Sequence, residues 1–208
     1  MKVAVFDRME ECTEAEVARL LPLVSAQRRE QALRFKHTFG QFCCLKSWAM
    51  LKELMDKGQR TMDKGQRTMD KGQRTMDNWL YNEHGKPYWE NGPYFSISHC
   101  KEGIAIVVDE QPVGVDIEGI RHADDELIRR TMNEEEQTEI FAAEDGDRAF
   151  TRLWTQKEAI VKCLGTGIES FEQLQGIRSQ ESGIRTQTIE KEKYIYSIGY
   201  GKLHCIGA

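Results

Sequence analysis

Short apolar alternations at both ends of the chain flank two stretches of helical periodicity, a contrast that predicts mixed secondary structure. Val3–Phe6 reads as an opening strand. Thr13, with Glu16 three residues on, has the capping-box pattern and opens a helix over Glu14–Leu23. A second helical stretch, rich in Arg, Lys, Phe and Leu, runs from about Ala26 to Leu54. Strand-like segments follow at Trp79–Tyr81, Tyr94–Ser98, Ile104–Val108 and Val113–Ile117, then a mainly helical block over Asp124–Leu164. The tail, Lys193–Tyr200 and Lys202–Ile206, reads as a hairpin turning at Gly199–Gly201. The expected fold class is α+β. A boundary near Gln111–Pro112 divides an N-terminal half, 1–112, from a C-terminal half, 113–208.

One position disturbs the helical pattern. Phe150, Leu153, Trp154, Ile160, Val161 and Leu164 form one apolar stripe, and Lys157 falls in its middle, with Glu158 and Lys162 on its flank. An unpaired ammonium buried there would cost several kcal/mol or lose its proton. Lys157 therefore meets an anion, either a carboxylate of the chain or a bound ligand. The plainer alternative is a Lys157 stem that snorkels to solvent beside an ordinary Glu158–Lys162 pair.

Composition narrows the function classes. The 208 residues carry a formal net charge of −5 and no Lys/Arg block, which argues against an electrostatic nucleic-acid binder. The six cysteines show no CxxC spacing and read as reduced thiols of a cytoplasmic protein. MKVAVFDRM is not a signal peptide, and the longest apolar run, Ile104–Val108, is too short to span a bilayer. DKGQRTM occurs three times over Asp56–Met76, but one Met per unit makes no coiled-coil seam and each unit carries a Gly. It reads as a polar linker.

Two further segments carry candidate chemistry. Strand alternation in Val113–Glu118 sends Val113, Val115 and Ile117 to one face and Gly114, Asp116 and Glu118 to the other. Two carboxylates side by side repel unless a cation joins them, so either a solvated polar face or an oxygen site for Mg²⁺ is expected. Ser98 and His99 end the strand in FSISH and project to opposite sides, which is no Ser–His dyad but suits hydrogen bonds to a phosphate. Gly85-Lys-Pro87 is a turn with one cation, while His37, His84, His122 and His204 have no ligand spacing. Taken together, the carboxylates with Lys157, Lys86 and His99 suit displacement at a diphosphate.

GKPYW (Gly85–Trp89), FSISHC (Phe95–Cys100), VGVDIEGI (Val113–Ile120) and LWTQKEAIVKCLGTGI (Leu153–Ile168) occur in this order. With SAQRREQALRF (Ser25–Phe35), they make the chain resemble the Sfp-type 4′-phosphopantetheinyl transferases. The resemblance implies two similar α+β halves about a pseudo-twofold axis, with coenzyme A and Mg²⁺ between them, in a monomer. It implies transfer of the 4′-phosphopantetheine arm to a serine of an acyl or peptidyl carrier protein of fatty acid, polyketide or nonribosomal peptide synthesis. Adenosine 3′,5′-bisphosphate would be the other product.

By the same resemblance Asp116, Glu118 and Glu158 would hold the metal, and Glu158 would deprotonate the serine. Lys157 and His99 would bind the diphosphate with Ser98 nearby and Lys162 in support. Arg28 would reach the 3′-phosphate, and Lys86 with Pro87 would lie along the adenine. Cys43, Cys44 and Gln31 stand where relatives place groups that help bind the nucleotide, so a weaker 3′-phosphate grip is expected. A non-catalytic coenzyme A or carrier-binding module and a Mg²⁺-dependent nucleotide diphosphate hydrolase are the alternatives.

Overall fold

A computed structural model describes residues 1–59, 79–90, 92–168, 170–177 and 183–201, with the side chains of 57–59 left out. Among the described residues, two three-stranded antiparallel sheets and two long helices form the framework. The first sheet takes β1 (Lys2–Phe6), β4 (Tyr94–Cys100) and β5 (Gly103–Asp109) in the order β1-β5-β4. The second takes β6 (Val113–Gly119), β7 (Arg185–Glu190) and β8 (Tyr194–Tyr200) in the order β6-β8-β7. In each, a first strand leads through helices to a hairpin whose last strand becomes the centre of the sheet. The second half thus repeats the topology of the first. A short two-stranded ribbon, β2 (Leu80–Tyr81) and β3 (Pro87–Tyr88), is inserted in the first half.

The burial pattern explains the stacking. Strand β5 is buried on both faces: Ile104, Ile106 and Val108 pack on the N-terminal helices with Phe42, Leu45 and Leu51. Ala105 and Val107, on its other face, join Val113, Val115 and Ile117 of β6 with Tyr194 and Ile198 of β8. Continuous apolar runs of this kind belong to strands covered on both sides. The polar face of β6 is left for a helix, and α6 (Gly146–Leu164) covers it. Asp145 starts α6 by accepting from Arg148 N, and Gly165 ends it in the left-handed region at φ 77°.

The structure redraws several expected boundaries. The helix at 14 is α1 (Glu14–Leu20) followed by a 3-10 turn. Thr13 accepts from Glu16 N, but the Glu16 carboxylate turns to Arg19, so the capping box is only half made. The single stretch expected over 26–54 divides into α2 (Ala26–Leu33) and α3 (Thr38–Gln59), because the chain bends at 34–37 to lay Phe35 against Gly40. The Asp124–Leu164 block contains α4 (Asp125–Thr131), α5 (Glu134–Ala142) and α6. The hairpin partner of β8 is the preceding strand β7, joined through Lys191–Lys193. Asp56–Gln59 of the first DKGQRTM unit continue α3, while the rest of the repeat and the strand expected at 202–206 lie outside the described residues. No helix among the described residues is long and apolar enough to cross a membrane.

Candidate active site

Glycines bring α6 down onto the second sheet. Gly114 of β6 and Gly199 of β8 are cross-strand partners. A Cβ on Gly114 would stand 2.2 Å from the Ala159 carbonyl oxygen and 2.3 Å from Cys163 N, and one on Gly199 would stand 2.6 Å from the same carbonyl. Two positions further along β6, alternation turns Asp116 to the same face, with Glu118 beyond it. Residues Trp154, Glu158 and Lys162, spaced i, i+4, i+8, form one line along α6. Together with Ile97, Ser98 and His99 at the end of β4 they line an open cleft of about 360 Å³.

The groups in the cleft are strongly coupled. Asp116 is 2% exposed. Its Oδ1 accepts from Lys162 Nζ at 2.5 Å and from Ser98 Oγ at 2.8 Å, and Lys162 Nζ also donates to Ser98 Oγ at 3.1 Å. The other carboxylate oxygen, Oδ2, is buried with no hydrogen-bond partner. Burial, with the neighbouring Asp116 charge, pushes the Glu118 carboxyl up to about 7. Burial also raises Glu158, against the pull of Lys162. Burial acts to lower Lys162, but Asp116, through its charge and hydrogen bond, and then Glu158 and Glu118 carry it above its ordinary value. The His99 ring, at the mouth beside Phe39, is held below its ordinary value by its crowded surroundings and by Lys162. It is therefore neutral near pH 7.

Among the described residues no three His, Cys, Asp or Glu side chains stand close enough together to form a ready metal cage. Lys162 sits against Asp116, and carboxylates that face one cleft repel unless a cation joins them. The donor set nevertheless suits a hard divalent ion: three carboxylates face one cleft, and a buried oxygen of Asp116 lacks a partner.

Lys157 is not in this cleft. It is 2% exposed on another side of α6, where Nζ pairs with Glu136 Oε2 at 2.9 Å. The same ammonium donates to the carbonyl oxygens of Leu174 at 2.6 Å and Ile177 at 3.2 Å. Of the two anions open to it, a carboxylate of the chain is the one it meets, and assigning it to the diphosphate is corrected accordingly. Adjacent helical residues diverge by 100°, so Glu158 can face the cleft only if Lys157 faces elsewhere. Lys157→Ala leaves Glu136 and two carbonyls buried without their cation and lowers stability by roughly 3–5 kcal/mol. Thermal unfolding checks this, and a midpoint within a degree of the parent's overturns that stabilising role for Lys157.

The remaining candidates also lie outside the lining of the cleft. The Lys86 ammonium donates to the carbonyls of Val113 and Cys163 at 3.3 and 3.1 Å, which ties it to β6 and the end of α6. Asn82 Nδ2 reaches the Gly165 carbonyl at 2.7 Å, so the β2–β3 ribbon with Pro87 is tied to the end of α6. Arg28 is 6% exposed, stacks 3.8 Å over the Trp79 ring, and leaves Nε without a partner. Its Nη1 lies 3.9 Å from Cys44 Sγ, while Cys43 faces the core and burial raises its thiol to about 12. His204 lies outside the described residues. Sequence reasoning overlooked Ile97 and Trp154 as walls of the cleft and ranked Lys162 below Lys157. The i, i+4, i+8 line through Glu158 was the signal that would have found Trp154 and Lys162.

Residues 112–204 match the family model described as the 4′-phosphopantetheinyl transferase superfamily. The chain is similar to the 4′-phosphopantetheinyl transferase Sfp of Bacillus subtilis strain 168, 28% identical over 160 residues, or 75% of this chain and 66% of that protein. It is 33% identical over 89 residues to the 4′-phosphopantetheinyl transferase Gsp of Aneurinibacillus migulanus, covering 42% of this chain and 38% of the relative. With the 4′-phosphopantetheinyl transferase AcpT of Salmonella typhi it shares 42% identity over 94 residues, covering 41% and 48% respectively. The chain spans less than two thirds of the length of each of these relatives.

Proposed function

We propose that the chain, whose residues 112–204 match the 4′-phosphopantetheinyl transferase superfamily model, is an Sfp-type enzyme of that family. It moves the 4′-phosphopantetheine arm of coenzyme A to a serine of an acyl or peptidyl carrier protein. One observation carries the reading: Asp116, Glu118, Glu158, Lys162, His99 and Ser98 line a single cleft. The relatives' names give no support to a hydrolase or to a non-catalytic module.

In this reading Asp116, Glu118 and Glu158 hold Mg²⁺, which when bound neutralises diphosphate oxygens and makes the phosphorus a better electrophile. Lys162 offers its ammonium to the diphosphate and neutral His99 a ring N–H, with Ser98 between Lys162 and Asp116. Glu158, held above the ordinary carboxylate range, takes the proton from the serine hydroxyl. The serine oxygen bonds to the pantetheine-bearing phosphorus as the bond to the other phosphate breaks. Adenosine 3′,5′-bisphosphate leaves. Arg28, buried with an unpartnered Nε, reaches the 3′-phosphate, and Pro87 on the ribbon lies along the adenine. The halves 1–112 and 113–208 enclose the cofactor in one monomeric chain. The free thiols among the described residues suit the cytoplasm.

The test is the intact mass of an apo acyl carrier protein after incubation with this chain and coenzyme A, with and without Mg²⁺. A gain of one phosphopantetheine that requires the metal supports the reading. An unchanged mass across several apo carriers ends it.

A further inference from the structure

The hydroxyls packed between α6 and the second sheet take no part in the chemistry described above. Ser197 of β8 is the cross-strand partner of Asp116, and alternation turns both to the face that α6 covers, two residues along from the Gly114–Gly199 pair. Ala159 rests on that glycine pair, so Thr155, one helical turn before it, rests on the next pair. Thr155 Oγ1 lies 2.8 Å from Ser197 Oγ, and both residues are completely buried. Thr188 Oγ1 of β7 lies 2.9 Å from Ser197 Oγ on the other side, and Gln156 Nε2 donates to Thr188 Oγ1 at 2.9 Å.

Each hydroxyl carries one proton, and this fixes the direction of the chain. Thr155 Oγ1 donates to the Arg152 carbonyl oxygen at 3.0 Å, so in its bond with Ser197 it accepts. Ser197 therefore donates to Thr155 and accepts from Thr188, whose own oxygen accepts from Gln156. Every hydroxyl proton of the chain is thus committed away from Asp116, although cross-strand Cβ atoms stand only about 4.5–5.5 Å apart. Asp116 Oδ1 takes its donors from Lys162 and Ser98, while Oδ2 is buried without a partner among the described residues. A serine on the neighbouring strand would ordinarily donate to such an oxygen. Turning to it would cost Ser197 its bonds to both threonines, and two neutral bonds hold against one to a charged oxygen.

We propose that Thr155 and Ser197 are positioning residues of the cation site: Thr155 draws the Ser197 proton away, so that Asp116 Oδ2 stays open for the divalent ion. The inference rests on the transferase reading above, which gives Asp116 to Mg²⁺, and adds two residues which that reading does not use. Mg²⁺ dehydrates reluctantly and takes few protein carboxylates, so an oxygen already capped by a hydroxyl is a poorer ligand. The device works from behind the carboxylate. Lys162 and Ser98 orient Asp116 from the cleft side through Oδ1, and Thr155 keeps the sheet side from closing Oδ2.

Mn²⁺ binding to the full chain is followed by loss of the free-ion electron paramagnetic resonance signal, and Mg²⁺ binding by its displacement of Mn²⁺, each with and without coenzyme A. The proteins compared are the parent, Thr155→Val, Thr155→Ser, Ser197→Ala and the double variant Thr155→Val/Ser197→Ala. Thr155→Val leaves the Ser197 proton to turn to Asp116 and is expected to weaken metal binding about tenfold. Thr155→Ser retains the acceptor and the parent's affinity, and Ser197→Ala, with no proton to give, retains it too. Adding Ser197→Ala to Thr155→Val restores the affinity whatever happens to the thermal midpoint, a rescue that packing alone would not produce. Equal metal affinity in the parent and Thr155→Val overturns the inference, as does a double variant no better than Thr155→Val or a parent that binds neither ion. If the rescue appears in a chain that modifies no apo carrier protein, the positioning pair stands and the transferase reading fails. Metal-dependent transfer without the rescue keeps that reading and removes the pair.

Discussion

Glu158→Gln lowers transfer at least about a thousandfold while coenzyme A still binds, measured as single-turnover transfer and as calorimetric affinity. Glutamine keeps the length and shape of the side chain but removes the negative charge and the proton acceptor. Loss of a general base alone is worth about 10²–10⁴ in rate, and here one of three metal-facing carboxylates goes with it. On the proposed reading Lys162, His99 and Ser98 remain to meet the diphosphate, so the loss is expected to fall on kcat more than on cofactor affinity. Asp116→Ala gives the contrasting pattern. It strips the carboxylate from Lys162, leaving a half-buried ammonium whose partner at 2.5 Å has vanished, and it removes the oxygen that had no partner. Metal-dependent nucleotide binding is lost along with transfer. Full activity in either variant removes that residue from the site.

How much of this was legible depended on how many neighbours a pattern left undetermined. The carboxylate pair on β6 could be placed from sequence because a strand has two faces, and Val113, Val115 and Ile117 claim one of them. Helix α6 offered no such choice. Eleven of its residues are buried, among them Lys157, Thr155 and Ala159 as well as all of the apolar stripe but Leu164, so it is packed on nearly every side. Its periodicity could say that Lys157 is buried but not whether sheet, α5 or cleft covers it. The partner, Glu136, lies 21 residues earlier on another helix, beyond any local rule. Strand β7 was missed for a different reason. Arg185–Glu190 is mostly Thr, Gln and charged side chains and becomes a strand through its ladder to β8.

Gly114→Ala should abolish transfer and lower the thermal midpoint more than an ordinary overpacking change, which costs about 1–3 kcal/mol. Most cores absorb an added methyl by moving side chains. Here the obstacles are the backbone of α6, Ala159 O at 2.2 Å and Cys163 N at 2.3 Å, and neither can move without moving the helix. Shifting α6 carries Glu158 and Lys162 away from Asp116 and Glu118, so stability and activity fall together. Gly199→Ala meets the same carbonyl at 2.6 Å and should have a smaller effect of the same kind. Because both methyls press on one helix turn, the double variant should lose less than the sum of the two single losses. Circular dichroism melts and the carrier mass assay on all three variants test this. A Gly114→Ala protein with the parent's midpoint and full transfer would show that α6 does not rest on β6 as closely as the geometry requires.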